Sequence, residues 1–298
     1  MSNPAAASDL LLALQIAQEA VNQQLERILP LKAGRAPRIH EAMRHVVLSG
    51  GKRLRPMLCL FAGEALGVDR QKLLPCAAAL ELAHVFTLVH DDLPAMDNAA
   101  LRRGVPTIHV VWDQAIAVLA GDALLNLTFQ VLATEGPRNF SAERAVKAIR
   151  ILAEGLGLDG VVGGQVWDID PADHDDATLQ KLHLMKTAAF FEAALGVGAI
   201  LAGATEEQRA MLGGYARELG LAFQIKDDLL DATASSAVTG KEARDAAMGR
   251  TTYVSRFGIE GAIEQMMVHA ERAREALQWY PNAGILQALA GYVVERGS

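Results

Sequence analysis

Apolar residues recur at helical spacing along almost the whole of this chain. Leu10, Leu11, Leu14, Ala17 and Val21 fall at i, i+1, i+4, i+7 and i+11, with Ser8 placed to cap the helix they define. Arg38 to Leu48 reads as a second helix closed by Gly50-Gly51, and Pro56 sits at a first-turn position of the next. Further helices are predicted from about Pro75 to Asp92, Val110 to Thr134, Ala142 to Leu156, Ala177 to Gly203 and Glu206 to Asp231, then Thr252 to Ala276 and Gly284 to Arg296. Period-two runs of β-branched residues are essentially absent, and most of the ten prolines mark element boundaries. The expectation is an all-α protein, a single-domain bundle of long helices around a central cavity, with no composition shift to divide residues 1–298.

Two aspartate clusters interrupt this apolar pattern: Asp91-Asp92-Leu93-Pro94-Ala95-Met96-Asp97 and Asp227-Asp228-Leu229-Leu230-Asp231. Each is read as closing a hydrophobic helix, where grouped carboxylates are costly unless a cation neutralises them. Asp227 and Asp231, at i and i+4, share one helix face with Gln224 one turn earlier. Pro94 disfavours helix at Leu93, so Asp97 is reached through a non-helical excursion, while His84 and Thr87 stack beneath Asp91. An all-oxygen ligand set without cysteine points to Mg²⁺ shared with substrate phosphates. Polar loops with basic residues follow both clusters, at 98–107 and 232–251.

Charge and composition narrow the class. A net charge of −7 argues against a nucleic-acid partner, and an anionic substrate then needs local cations. Gly50-Gly51-Lys52-Arg53-Leu54-Arg55-Pro56 supplies them, as a glycine turn into a helix N-terminus, a natural phosphate site. Cys59 and Cys76, two cysteines inside apolar helices, are expected to be reduced buried thiols. No signal peptide is apparent, and the Ala193 to Ala204 stretch is too short to span a bilayer, so a soluble cytoplasmic protein without stable membrane anchoring is expected.

Taken in order, these residues resemble the trans-isoprenyl diphosphate synthase family, and most closely its bacterial farnesyl diphosphate synthases. The motifs are G-G-K-R-L-R-P (Gly50 to Pro56), H-D-D-L-P-A-M-D (His90 to Asp97), L-R-R-G-V-P-T (Leu101 to Thr107), G-G-Q (Gly163 to Gln165), Lys186-Thr187, F-Q-I-K-D-D-L-L-D (Phe223 to Asp231) and Gly240-Lys241. The resemblance implies Mg²⁺-dependent head-to-tail condensation of isopentenyl diphosphate with an allylic diphosphate (dimethylallyl or geranyl) to give farnesyl diphosphate, through an allylic carbocation. Geranyl or geranylgeranyl diphosphate is the alternative product.

By matching position, Lys52, Arg55, His84 and Arg103 would hold isopentenyl diphosphate, and Arg102, Lys186 and Lys241 the allylic diphosphate. Thr187 and Gln224 would line the cation, with Lys186 counted beside them as catalytic. Asp91, Asp92, Asp97, Asp227, Asp228 and Asp231 would hold Mg²⁺, three ions with substrate bound. Phe86 and Thr87, five and four residues before the first aspartate, would set chain length, and a homodimer is implied.

The sequence departs from the family pattern at Asn98-Ala99-Ala100, where an aspartate run is common, at Arg250 for Lys, and at Val254 for Pro. The first change concerns rate or metal affinity more than reaction type. A terpene cyclase needs no basic turn like 50–56, a non-catalytic subunit would lack the aspartates, and an acidic binding module would turn over nothing.

Overall fold

The computed structural model describes residues 4–29, 36–169, 175–238 and 251–295. The fold is all-α: α1 (Pro4–Ile28), α2 (Pro37–Val47), α3 (Leu54–Glu64), α4 (Arg70–Asp91), α5 (Ile108–Val111), α6 (Gln114–Asn139), α7 (Ala142–Leu156), α8 (Val161–Asp168), α9 (Asp176–His183), α10 (Ala189–Ala202), α11 (Glu206–Val238), α12 (Tyr253–Ala276) and α13 (Gly284–Glu295). Among the described residues the strands are one short ribbon, Leu101–Arg102 paired with Val105–Pro106, turning through Arg103 and Gly104 at φ of 55° and 79°.

Several boundaries move from their expected places for local reasons. Ser8 lies inside α1, because the helix-favouring Ala5-Ala6-Ala7 carries the start back to Pro4, a residue suited to a first turn. α4 starts before Pro75, at Asp69, whose carboxylate accepts the Gln71 N–H at 2.8 Å. Asp113 caps α6 through the Ile116 N–H at 2.7 Å, which splits the expected 110–134 helix in two. α8, glycine-rich and eight residues long, was not expected, since its glycines mask any period. α11 continues to Val238, so the second aspartate cluster lies within a helix and not at its end. α12 starts on a Thr252–Ser255 capping box and breaks at Gly258, φ 70°.

α4 packs against α3 and α6, α10 against α3, α7 and α11, and α11 against α12. Cys59 and Cys76 are buried free thiols, and burial raises Cys76 to about 12. Among the described residues three segments are long and apolar enough to cross a membrane, a longer set than the 193–204 stretch implied. Two of them, Arg70–Asp91 and Asp176–Ala202, are 72% buried over their most apolar windows, so the core accounts for their apolarity. The third, α6, is only 39% buried.

Candidate active site

The end of α4 folds back on itself. The Asp97 N–H donates to the Asp91 carbonyl at 2.8 Å, Asn98 N–H to Leu93 O at 3.0 Å and Ala99 N–H to Asp92 O at 3.1 Å. Carbonyls that a helix C-terminus leaves orphaned are thus satisfied by the excursion that Pro94 forces. The same curl brings the Asp97 charge to bear on Asp91.

Asp91 opens onto a cavity of about 340 Å³ between α4, α8 and the segment entering α10. Arg55, His84, Phe86, Thr87, Lys186 and Thr187 line it too, so seven of the expected site residues share one space. A single π-turn, Leu184–Ala188, carries Lys186 and Thr187, and such bulges recur at functional sites. α8 completes the wall with Val161, Val162, Gln165 and Val166, and Ile169 at its C-cap adds to it.

Polar atoms on this wall are left without partners among the described residues: Arg55 Nε, His84 Nδ1 and Gln165 Nε2 are buried and unbonded. Buried donors left unsatisfied are costly, and a ligand rich in acceptor oxygens is what would satisfy them. Burial, helped by Arg55, Arg103, Arg53 and Arg102, holds His84 far below the ordinary histidine range, so its imidazole is neutral. Burial also lowers Arg55 to about 10, against the pull of Glu81 and Asp227, and its guanidinium lies 4.8 Å over the Phe190 ring. Asp91 is pushed up to about 6, chiefly by burial; Lys186 and Arg102 draw it down, while Asp97 and Asp168 raise it.

Behind the wall, Glu81 organises the arginines. Its carboxylate is 1% exposed, 2.7 Å from Arg53 Nη1 and 3.5 Å from Arg103 Nη2. Arg53 also donates to Asn22 Oδ1 and the Val47 carbonyl, both at 2.8 Å, at a left-handed φ of 53°. Arg103 donates to the Gly50 carbonyl. A Cβ on Gly51, φ 134°, would lie 2.5 Å from the Arg103 guanidinium carbon, so Gly51 is favoured by conformation and by space, while Gly50, φ 99°, is favoured by conformation alone.

Other expected residues stand elsewhere. Arg102 binds Asp92 through Nε at 3.0 Å and Nη2 at 2.6 Å, and Asp92 is buried. In Asp228, Oδ1 accepts from Gln224 Nε2 at 3.1 Å and Oδ2 from the Tyr253 N–H at 3.0 Å, at 4% exposure. Both oxygens are committed to joining α11 to the start of α12. Thr187 Oγ1 donates to Gln224 Oε1 at 2.9 Å, so Gln224 reaches the cavity through Thr187.

Lys52 is exposed and borders a second, mostly apolar pocket of about 210 Å³ with Leu11, Met57, Phe223 and Tyr292. Asp97, Asp227 and Asp231 are half-buried. Lys241 and Arg250 lie outside the described residues.

Sequence reasoning missed Glu81 and Asp168. A single charge inside Ala77-Ala78-Ala79-Leu80-Glu81-Leu82-Ala83 was itself a signal of a buried counter-ion. Asp168 holds Lys186 Nζ at 2.6 Å, and only its place three residues after Gln165 hinted at a shared helix face.

Among the described residues no three carboxylates, imidazoles or thiols stand close enough to hold a metal by themselves. The all-oxygen character of Asp91, Asp97, Asp227 and Asp231 still fits Mg²⁺ completed by substrate oxygens. Asp91, raised by burial next to Asp97, is the kind of carboxylate a cation would stabilise.

A carboxylate that suits a hard cation, sharing an apolar cavity with Arg55, Lys186 and unsatisfied donors, fits an enzyme that handles a diphosphate on a hydrocarbon chain. Residues 36–278 match the polyprenyl synthetase family model, and the chain belongs to that family. Geranylgeranyl diphosphate synthase of Cyanophora paradoxa is 40% identical over 97% of both chains. The chloroplastic geranylgeranyl pyrophosphate synthase of Catharanthus roseus is 42% identical over 93% of this chain and 78% of its own. Among solved structures, an FPP/GFPP synthase from Zymomonas mobilis superposes with a TM-score of 0.86 at 35% identity, over 97% of this chain and 99% of that one. The protein is a prenyltransferase of isoprenoid biosynthesis that condenses prenyl chains.

Proposed function

We propose that the protein joins isopentenyl diphosphate to an allylic diphosphate, head to tail, and elongates the chain to geranylgeranyl diphosphate. The observation that carries this reading is the cavity itself, with its unbonded Arg55 Nε and His84 Nδ1 and the Asp91 carboxylate beside an apolar wall. The product follows the relatives, whose names are those of geranylgeranyl diphosphate synthases at 40% identity and above.

Arg55 and Arg103, held around Glu81, bind the isopentenyl diphosphate, and neutral His84 adds a hydrogen bond without adding charge. Lys186, handed over from Asp168, and Arg102, handed over from Asp92, grip the allylic diphosphate. Asp91, Asp97, Asp227 and Asp231 would hold Mg²⁺, which would supply neutralisation of the charge on the departing diphosphate. Thr187, its proton committed to Gln224, turns oxygen lone pairs toward the allylic cation without a free nucleophile to trap it. The apolar walls from α8 and Phe190 exclude water during the lifetime of that cation.

Farnesyl diphosphate is the second reading, favoured by one observation: Phe86 stands on the cavity wall five residues before Asp91. Incubation with isopentenyl diphosphate, Mg²⁺ and dimethylallyl, geranyl or farnesyl diphosphate, followed by sizing of the dephosphorylated products, separates the two. A terminal geranylgeranyl product supports the first reading, and arrest at farnesyl the second. No elongation from any starter would overturn both. In either case Phe86→Ala is expected to lengthen the product by at least one prenyl unit, and an unchanged product would remove Phe86 from the cavity floor.

The same proposal includes a homodimer through α6, whose apolar surface is left largely uncovered, with Val118 41% and Leu119 48% exposed. Light scattering is expected to give twice the chain mass, and Leu119→Lys to shift it toward the monomer.

A further inference from the structure

We propose that Gly121, on α6, sets the chain length the cavity admits by seating the imidazole of His90. The inference rests on the prenyl-condensation reading and adds a determinant outside the aspartate motifs.

The His90 ring lies directly over the Gly121 backbone. A Cβ at position 121 would collide with Nε2, and would stand 2.5 Å from Cδ2 and 2.9 Å from Cε1. From this seat Nε2 is 3.2 Å from the Val118 carbonyl, one turn earlier on α6. Away from α6 the ring meets Phe86 edge-on, with centroids 5.8 Å apart and planes at 85°. Both rings line the cavity together with Thr87 and Asp91. This part of the cavity wall is therefore two rings in contact, and the seat of one of them over α6 needs a position 121 without a side chain.

Gly121 has ordinary helical backbone torsions, so conformation does not demand glycine there. Space does, and in a helix interior glycine is otherwise a liability. The His90 side chain is 30% exposed, with Asp122 Oδ1 3.9 Å from Nε2, and a methyl group at 121 pushes the imidazole away from α6, the side on which Phe86 and the cavity lie. A smaller residue at 90 has the opposite effect and opens space beside Phe86. Glycine at 121 thus acts on product length through His90, as a specificity-determining position that touches no diphosphate.

The test uses Gly121→Ala, His90→Ala and the double variant in the full chain, sized with isopentenyl diphosphate, Mg²⁺ and each allylic starter. Gly121→Ala is expected to retain turnover of dimethylallyl diphosphate and to end its products at least one prenyl unit shorter than wild type. His90→Ala is expected to lengthen them, and the double variant to recover wild-type length or more. Non-ionisable thiolo analogues of geranyl and farnesyl diphosphate give a readout independent of turnover. By calorimetry, Gly121→Ala is expected to disfavour the farnesyl over the geranyl analogue by at least about tenfold relative to wild type, the discrimination one lost apolar contact provides.

A folded Gly121→Ala with unchanged products and unchanged analogue preference overturns the proposal. So does a double variant that keeps the shortened products, because the methyl group and not the ring would then be the block. If Gly121→Ala folds only in combination with His90→Ala, the ring is confirmed as the group it displaces. A wild-type chain that elongates nothing overturns the condensation reading, while the analogue preference still decides the seat.

Discussion

Asp91→Ala is expected to lower kcat/KM by roughly 10³-fold or more, the scale of removing a group that stabilises developing charge, while leaving the fold at least as stable. The two effects run in opposite directions because of where the carboxylate sits. Burial holds Asp91 at about 6, above the ordinary carboxylate value of 3.8, and the C-terminal end of α4 is the negative end of its dipole. The folded chain therefore binds this proton more tightly than the unfolded chain does. The resulting penalty on the fold grows as pH rises from about 4 to about 6 and is complete at neutral pH. Removing the carboxylate relieves that penalty and the repulsion from Asp97, and takes away the ligand that the departing diphosphate needs. Thermal melting without Mg²⁺, set beside steady-state kinetics with it, checks both halves. Parallel losses of stability and activity would make Asp91 a structural residue. Asp227→Ala, at a half-buried position on α11, is expected to show the same loss of turnover with little change in melting.

How much of this site could be read beforehand depended on the range of the interaction. The aspartates, the glycine-rich basic turn and Lys186-Thr187 are local strings, and cavity residues at fixed helical offsets, such as His84 and Thr87 beneath Asp91, followed from 100° per residue. Helix interiors were legible for the same reason, while ends depended on single caps such as Asp69 and Asp113. Partner choice was not legible. Arg102 takes Asp92 only because the ribbon turns it back onto α4, and Asp228 takes the Tyr253 N–H from an element 25 residues on. Both aspartates look identical in sequence to their neighbours at 91 and 227. Contacts across the bundle decide which oxygens are already spoken for. The π-turn at Leu184–Ala188 is likewise invisible, since nothing in Leu-Met-Lys-Thr-Ala distinguishes it from ordinary helix.

The largest effect on stability is expected from Glu81→Gln. Glu81 and Arg53 are each 1% exposed and 2.7 Å apart, and removing one partner of such a pair strands the other charge in the core at a cost of about 3–5 kcal/mol. For a chain of this size that corresponds to a fall of roughly 10 °C in melting temperature. Replacing the pair together, Glu81→Leu with Arg53→Met, is expected to restore most of the stability, because well-packed apolar residues often match a buried ion pair. A Glu81→Gln chain that melts like wild type would mean that the pair is not ionised in the fold. The double variant separates stability from purpose. Glu81 also faces Arg103 and draws on Arg55, while Arg53 ties the basic turn to Asn22 and Val47 at a left-handed φ. An apolar replacement keeps the helices together and releases those guanidiniums from a common anchor. The double variant is therefore expected to fold and yet show a raised KM for isopentenyl diphosphate, with the KM for the allylic substrate much less affected. Equal shifts in both would assign Glu81 to the core alone.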